Sequence, residues 1–516
     1  MNNVWRGTTL VVAMAVASAS LLAGCASGGG EEGEDTRSIR IGVSPEQFVG
    51  TYSLAVPNGF ALDGRSVYDY LFGEFEGTTP EPGLGTGYEL SDDRRTLTIT
   101  LREGVVFPDG QEFNADTYVE YVNGLVDLGE AWGNAATWDT FKPTLSVVDE
   151  YTVEYRTEVP IPADPSIYPG FLAIAFGIPL TSVAALEDPE VSSGDPIESG
   201  PYSVESVVAD SSVVLTKNED FRDAEKYTFD EVELIVFADE IAALNALKAG
   251  EIDAARLGIP YLKEAEDSGL TSSKGTELGR WTGLYIGDSD GTVVPALGDK
   301  RVREAIELAF DREAINDAMN LGLGDVTSQP FDPARPEYVE GSDDRYGYDP
   351  ERARELLAEA GYPDGFDLTI PTTPFLGINL WEPIVLQSLS DIGINVTYEN
   401  YADTNEYFTA VLAPNYPVLL YSEHPISVRD VFVLDGAILN SFKADHPKID
   451  ELWEIIVNGD GGDEEQEAAR EMGEYVIDEA LITVIASTPY YWVSGSGFTV
   501  VHKNGYPSLN DFGLEE

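Results

Sequence analysis

Tyr88–Asp116 reads YELSDDRRTLTITLREGVVFPDGQEFNAD, and three structural signals follow one another inside it. From Arg95 to Leu101, Leu97, Ile99 and Leu101 alternate with Thr96, Thr98 and Thr100, the period of a half-buried strand. Phe107-Pro108-Asp109-Gly110 is turn chemistry. Asn114 then stands where a helix N-cap belongs, ahead of Tyr118, Val119, Val122 and Leu125 at helical spacing. A strand, a tight turn and a capped helix in under thirty residues point to a mixed α/β body.

The same alternation extends outward. Leu145–Glu158 reads as a hairpin, with its turn at Asp149-Glu150 and Tyr151, Val153 and Tyr155 on one face. Upstream, Ile39, Ile41 and Val43 mark a strand that starts the folded body at Ser38. Downstream come strands at Val213–Leu215 and Leu234–Phe237. A helix follows, capped by Asp239 and stopped at Gly250, and Glu251–Ala254 is read as its continuation into a strand. The second half is richer in helix: Asp299–Met319 as one helix, one opened by Asp349-Pro350 and closed by Gly361, then Glu382–Asp391 and Glu464–Ala480. Strands are expected at Phe366–Ile370, Ile394–Tyr398 and Leu481–Ala486.

The N-terminus sets the address. Arg6 precedes an uncharged run, Thr8–Ala23, which is short for a permanent span of roughly 20 residues. The run ends in Leu22-Ala23-Gly24-Cys25, which resembles a bacterial lipobox, and Cys25 is the only cysteine. Residues 1–24 are therefore expected to be a signal peptide. Residues 25–37, rich in Gly and Glu, are expected to be a flexible tether from a lipid on Cys25.

Composition narrows the function. A chain of 516 residues exceeds what one hydrophobic core supports, and 43% hydrophobic content is that of a globular protein. With 92 acidic against 30 basic residues, the net charge of -62 repels phosphate backbones and argues against nucleic-acid binding. The acid is spread along the whole chain, as in a solvated acidic surface.

Five segments together are similar to the bacterial extracellular solute-binding proteins of the peptide/nickel class, typified by the oligopeptide-binding proteins of ABC importers. They are Tyr88–Asp116; Ser199-Gly200-Pro201-Tyr202 with LTKNEDF at Leu215–Phe221; ALNALKAGEIDA at Ala243–Ala254; DKRVREAIELAFDREAI at Asp299–Ile315; and YDPERARELLAEAGYPDG at Tyr348–Gly365. The resemblance implies a two-lobe α/β clamp, periplasmic-binding-protein-like, with an extra subdomain in the first lobe. Lobe I would take residues 38–56, 198–278 and 487–516, its subdomain 57–197, and lobe II 279–486. Trp281–Ile286 and Ile482–Ser487 would cross the hinge. The implied partners are an ABC permease with its ATPase subunits, and a small solute, most simply a peptide. The receptor would be a monomer held by lipid on the outer face of the cytoplasmic membrane, with no cofactor.

In peptide-binding relatives an acid held in a segment like "W-x-x-D-Y-x-D-P" receives the peptide amine. The corresponding stretch here is LYSEHPISVRD, Leu420–Asp430. Tyr421 stands for the aromatic, but His424 takes the place of the acid, with Glu423 and Asp430 as substitutes nearby. Tyr52, Trp281, Tyr285, Trp381 and Tyr421 are the aromatics expected along the cleft. Non-peptide ligands (an oligosaccharide, an opine or a cationic small molecule) and a sensor role remain open at this stage. His424, His446 and His502 lack metal-ligand spacing, so no metal site is expected. One motif points to a different class: Gly287-Asp288-Ser289-Asp290-Gly291 matches G-x-S-x-G of serine hydrolases, though no helix is expected directly after Ser289.

Overall fold

In a computed structural model of the chain, the structure describes residues 37–515 apart from 45–51, 53, 55–61, 77–78, 130–131, 133, 163–169, 188–195, 276–279, 334, 424–426, 434–437, 460–461 and 502–507. The expected signal peptide, the tether and Cys25 lie outside the described residues, as does His424.

The strand expected from the Thr-rich alternation runs Thr96–Leu101, and Leu97, Ile99 and Leu101 are buried while the threonines are not. Each such side chain removed from water contributes about 1.5–3 kcal/mol. It sits inside a four-stranded antiparallel sheet with Gly85–Leu90, Thr152–Arg156 and, at the edge, Thr144–Asp149. Asn114 caps the Ala115–Val126 helix: its side chain accepts from Thr117 N–H, and Thr117 Oγ1 accepts from Asn114 N–H. Tyr118, Val122 and Leu125 are buried and Val119 packs half-buried against the same core; Tyr121 joins them, its hydroxyl donating to the Pro179 carbonyl at 2.7 Å.

A seven-stranded mixed sheet gathers distant segments. Ser38–Val43 lies at its centre, parallel to both Glu231–Val236 and Ala254–Leu257. Tyr202–Val208 and Ser212–Lys217 extend one side; Tyr491–Ser494 and Thr271–Lys274 extend the other. Asp239 caps the Glu240–Ala249 helix and Gly250 ends it at φ +70. The strand after it starts at Ala254 rather than Glu251. The glycine of Ser199-Gly200-Pro201-Tyr202 is fixed by close approach, since a Cβ there would lie 2.5 Å from the Ser66 carbonyl oxygen.

The second half surrounds two smaller sheets. Arg280–Ile286 is the middle of three antiparallel strands, flanked by Val418–Glu423 and Ile482–Thr488. Phe366–Thr372 and Ile394–Asn400 form a parallel pair bridged by the Glu382–Asp391 helix. The single helix expected over Asp299–Met319 is two, Lys300–Glu307 and Arg312–Asn320, each capped by its own aspartate, Asp299 and Asp311. The break turns Glu307 back on Arg312, forming a buried ion pair beneath the Ile482–Thr488 strand. Buried apolar residues of this half, from Trp281 to Ala486, form one cluster, while those of the first half and the C-terminal strands form a large cluster and a small one. A second half with one core of its own, apart from the large and small clusters of the first, makes this an α/β two-lobe fold.

Candidate functional site

The two cores are joined where the seven-stranded sheet hands the chain to the three-stranded one, and this happens twice, side by side. Thr271–Lys274 precedes Arg280–Ile286, and Ile482–Thr488 precedes Tyr491–Ser494. The two crossings are tied by Gly275 N–H donating to the Tyr490 carbonyl at 3.0 Å. Arg280 Nε donates to the Tyr490 phenol oxygen at 3.0 Å, and the Arg256 guanidinium lies 4.6 Å from the centre of the Tyr490 ring. A loop from the second half braces the same place. Asp325 bridges Ser487 in antiparallel fashion, and Asn320 Nδ2 donates to the Ser487 carbonyl at 3.2 Å.

Sheet register brings three of the expected ligand residues, Trp281, Tyr285 and Tyr421, onto one face. Trp281 pairs with Glu423, Gly283 with Tyr421 and Tyr285 with Leu419, and alternate positions of a strand share a face. Trp281 and Tyr285 are buried in the second core, with Tyr285 6.0 Å from Phe432, and Tyr421 is half-buried against that core. Burial raises the Tyr285 phenol above its ordinary value and keeps it protonated. Trp381 ends a short helical turn, Phe375–Trp381, which packs on the Val418–Glu423 strand.

Tyr52 lies elsewhere. It is wholly buried in the first core, where Tyr68 donates to its backbone carbonyl at 2.9 Å. Burial and the Asp63 carboxylate push its phenol upward. Asp430 belongs to a five-residue π-type turn, Arg429–Val433, a few residues past the end of the Tyr421 strand.

Two features of this site escape a reading of sequence alone. The pairing of Arg280–Ile286 with Ile482–Thr488 skips a residue after Thr282, so a bulge falls at the level of Gly283. A Cβ on Gly283 would sit 2.3 Å from the Thr483 carbonyl oxygen, so only glycine lets the strands approach there. Directly opposite Trp281 on the neighbouring strand is Ser487. Trp281 Nε1 and Ser487 Oγ are both buried and make no hydrogen bond with the described residues, which is rare for buried polar atoms.

The serine of the G-x-S-x-G match has a different setting from a nucleophile elbow. Asp288, beside it, is buried and accepts from the amides of Thr292, Val293 and Val294 and from Thr292 Oγ1, at 2.6 to 2.8 Å. This acid organises the loop. Ser289 does meet His446, Oγ to Nε2 at 3.3 Å, but Nδ1 of that ring faces the Tyr475 hydroxyl rather than a carboxylate. The helix after the strand starts only at Lys300, following a short turn at Pro295–Gly298.

A two-lobe α/β fold crossed twice at adjacent strands is the architecture of periplasmic binding proteins. The sequence profile of the bacterial extracellular solute-binding proteins, family 5 (middle region), matches residues 79–437, and the chain belongs to that family. It is 27% identical over 395 residues to the di/tripeptide-binding protein 1 of Pseudomonas aeruginosa, covering 71% of this chain and 68% of that one. It is 26% identical over 369 residues to the heme-binding protein A of Haemophilus influenzae, covering 66% of each. The chain thus matches about two thirds of the length of these relatives. Among solved structures, the ABC transporter substrate-binding protein CtaP from Listeria monocytogenes superposes with a TM-score of 0.75 at 22% identity, covering 94% of this chain and all of that one. NikA from Brucella suis, in complex with Fe(III)-EDTA, gives 0.77 at 18% identity, covering 92% and 100%. Among the described residues no helix is long and apolar enough to cross a membrane, and no group of three or more His, Cys, Asp or Glu is placed to hold a metal.

Proposed function

We propose that this chain is the membrane-anchored receptor of an ABC importer, which captures an extracellular solute, most simply a peptide, by closing two lobes about the crossing strands. Lobe I takes 38–56, 198–278 and 487–516, with 57–197 as its subdomain, and lobe II takes 279–486. Residues 1–24 are removed as a signal peptide, Cys25 carries the lipid, and 25–37 is the tether. A permease and its ATPase subunits receive the solute, and the receptor acts as a monomer.

The observation that carries this reading is the paired crossing at Gly275 and Tyr490. Two adjacent strands joining two separate cores allow one core to rotate against the other with few dihedral changes. In support of the lobe limits, every strand of the seven-stranded sheet falls in the segments given to lobe I. The parallel pair falls in lobe II, as does the three-stranded sheet except for Ser487 and Thr488, where its last strand passes into lobe I. Trp281, Tyr285, Trp381, Tyr421, Glu423, His424 and Asp430 are proposed to line the cleft from lobe II; Tyr52, wholly buried in the first core, is proposed to back it from lobe I. An extended peptide would pair its backbone with a strand edge there. Support for a peptide comes from the di/tripeptide-binding relative. A haem-type or chelate ligand is the second reading, favoured by the heme-binding relative and by His424 standing where peptide receptors carry an acid.

Thermal denaturation of the Cys25→Ser chain with di- to hexapeptides, haemin, nickel chelates, opines and oligosaccharides separates these. A ligand at 100 times its Kd adds about 2.7 kcal/mol. A shift with peptides supports the first reading, and a shift with another class alone replaces it. Retention of Cys25→Ser on salt-washed membranes would remove the lipid anchor from the account.

A further inference from the structure

The proposal here rests on the two-lobe clamp and concerns what holds it shut. The turn joining Gly85–Leu90 to Thr96–Leu101 carries Arg94 at φ +52, a left-handed conformation that a long side chain rarely adopts. The turn is tightly built: Arg94 N–H donates to the Ser91 carbonyl at 2.7 Å, and the Arg94 carbonyl accepts from Ile161 N–H at 2.7 Å. Its guanidinium is buried, although the turn is the tip of a hairpin in an acidic surface.

That burial is achieved on the other lobe. Arg94 Nη2 donates at 2.7 Å to the carbonyl of Val457, in the last turn of the Pro447–Asn458 helix. The last carbonyls of a helix lack partners within it and carry the negative end of its dipole, so a guanidinium there is both donor and counter-charge. One turn earlier on the same helix, Trp453 packs against both large apolar clusters. The Arg94 hairpin belongs to the segment 57–197 and the helix to 279–486, more than 350 residues on, so this contact spans the two lobes away from the crossing strands.

We infer that Arg94 is a latch: it caps the Pro447–Asn458 helix when the lobes are shut and must let go for solute to exchange. The strained backbone presents the side chain outward from the turn, and the docking of its head group onto the far lobe offsets that strain. A strained residue persists where surrounding contacts over-determine it, which fits a switch position. An opened clamp would leave the guanidinium in water and the Val457 carbonyl without its cap.

The test uses the full chain carrying Cys25→Ser, with spin labels on cysteines introduced by Val148→Cys and Glu464→Cys, both exposed and one on each side of the latch. Double electron–electron resonance then gives the distribution of distances between the sides without any ligand. Arg94→Gly removes the guanidinium while suiting the left-handed turn, so a residue serving only the turn would tolerate it. A latch predicts instead that the short-distance population falls roughly tenfold, as expected for losing one charge-assisted hydrogen bond. Arg94→Asn, which tolerates the same φ and is too short to reach Val457, repeats the test if the glycine variant folds poorly. Two populations in the parent that neither variant changes would overturn the latch and leave the clamp standing. A single narrow population in the parent, unchanged by either variant, would overturn the clamp reading as well.

Discussion

Gly275 and Tyr490 meet through a 3.0 Å backbone hydrogen bond at the point where both chain crossings pass between the cores. Gly275 N–H is the donor, and the Tyr490 side chain is at the same time gripped by Arg280 and Arg256. The two crossings are thereby coupled as one element rather than acting as independent linkers. In the proposed clamp, this pair is where one core would turn against the other.

The brace beside that pair gives the first prediction. Asn320 is buried, donates to the Ser487 carbonyl and accepts from Thr488 Oγ1 at 3.0 Å. Asn320→Ala leaves a carbonyl and a hydroxyl without that partner at the edge of the crossing. We expect a loss of about 1–3 kcal/mol in urea unfolding. A variant as stable as the parent would show that the brace does not bear on the crossing.

Beneath the same strand, Glu307 and Arg312 form a buried ion pair, and Arg312 also donates to the carbonyls of Val484 and Tyr346. Burial pushes the Glu307 carboxyl up to about 7, while the guanidinium beside it pulls the other way. Breaking one side strands the other group. Arg312→Met is expected to cost about 3–5 kcal/mol, and more than Glu307→Gln, because Arg312 serves more backbone acceptors. Equal costs in parallel denaturant titrations would contradict this ranking.

His446 gives a pH prediction. Burial holds its imidazole below the ordinary value of 6.5, against the opposing pull of Asp290, Asp445 and Glu479 and with a further push from Arg303. The folded chain therefore binds this proton less readily than the unfolded one. Its contribution to stability is present above pH 6.5 and is lost as pH falls below that value. The difference in stability between the parent and His446→Gln should shrink from pH 7.5 to pH 5.5. A difference independent of pH would place the ring outside the titration.

The loop of the G-x-S-x-G match separates a structural acid from a bystander serine. Asp288→Ala removes four hydrogen bonds to a buried carboxylate and should cost about 3 kcal/mol or more. Ser289→Ala removes one bond of 3.3 Å and should cost under about 1 kcal/mol. Hydrolysis of a nitrophenyl ester should be the same in the parent and in Ser289→Ala. Ester turnover lost only in that variant would revive a hydrolytic role.

Much of the fold was legible because local chemistry and tertiary role coincide. The alternation of Leu97, Ile99 and Leu101 names a buried strand face, and Asn114, Asp239 and Asp349 each cap the helix they precede. The break between Glu307 and Arg312 was hidden because apolar spacing runs on through Ala309 and Phe310, and Asp311 looks like an ordinary helix residue until it caps. The Pro447–Asn458 helix is carried by only three buried apolar residues, Ile449, Leu452 and Ile456, and is opened by Pro447 with no side-chain cap, so its local signal is weak. The pairing of Trp281 with Ser487 depends on strands some two hundred residues apart and on a bulge, which no local pattern encodes. Nothing near Arg94 in the sequence points to Val457, 363 residues on, whose carbonyl accepts from its guanidinium.

The central claim is that the two cores close on a solute about the Gly275–Tyr490 crossing. Small-angle scattering of the Cys25→Ser chain, with and without a saturating solute found in the denaturation screen, tests it most directly. The account predicts a smaller radius of gyration when solute is bound, with secondary structure unchanged. An identical radius at proven saturation would contradict it.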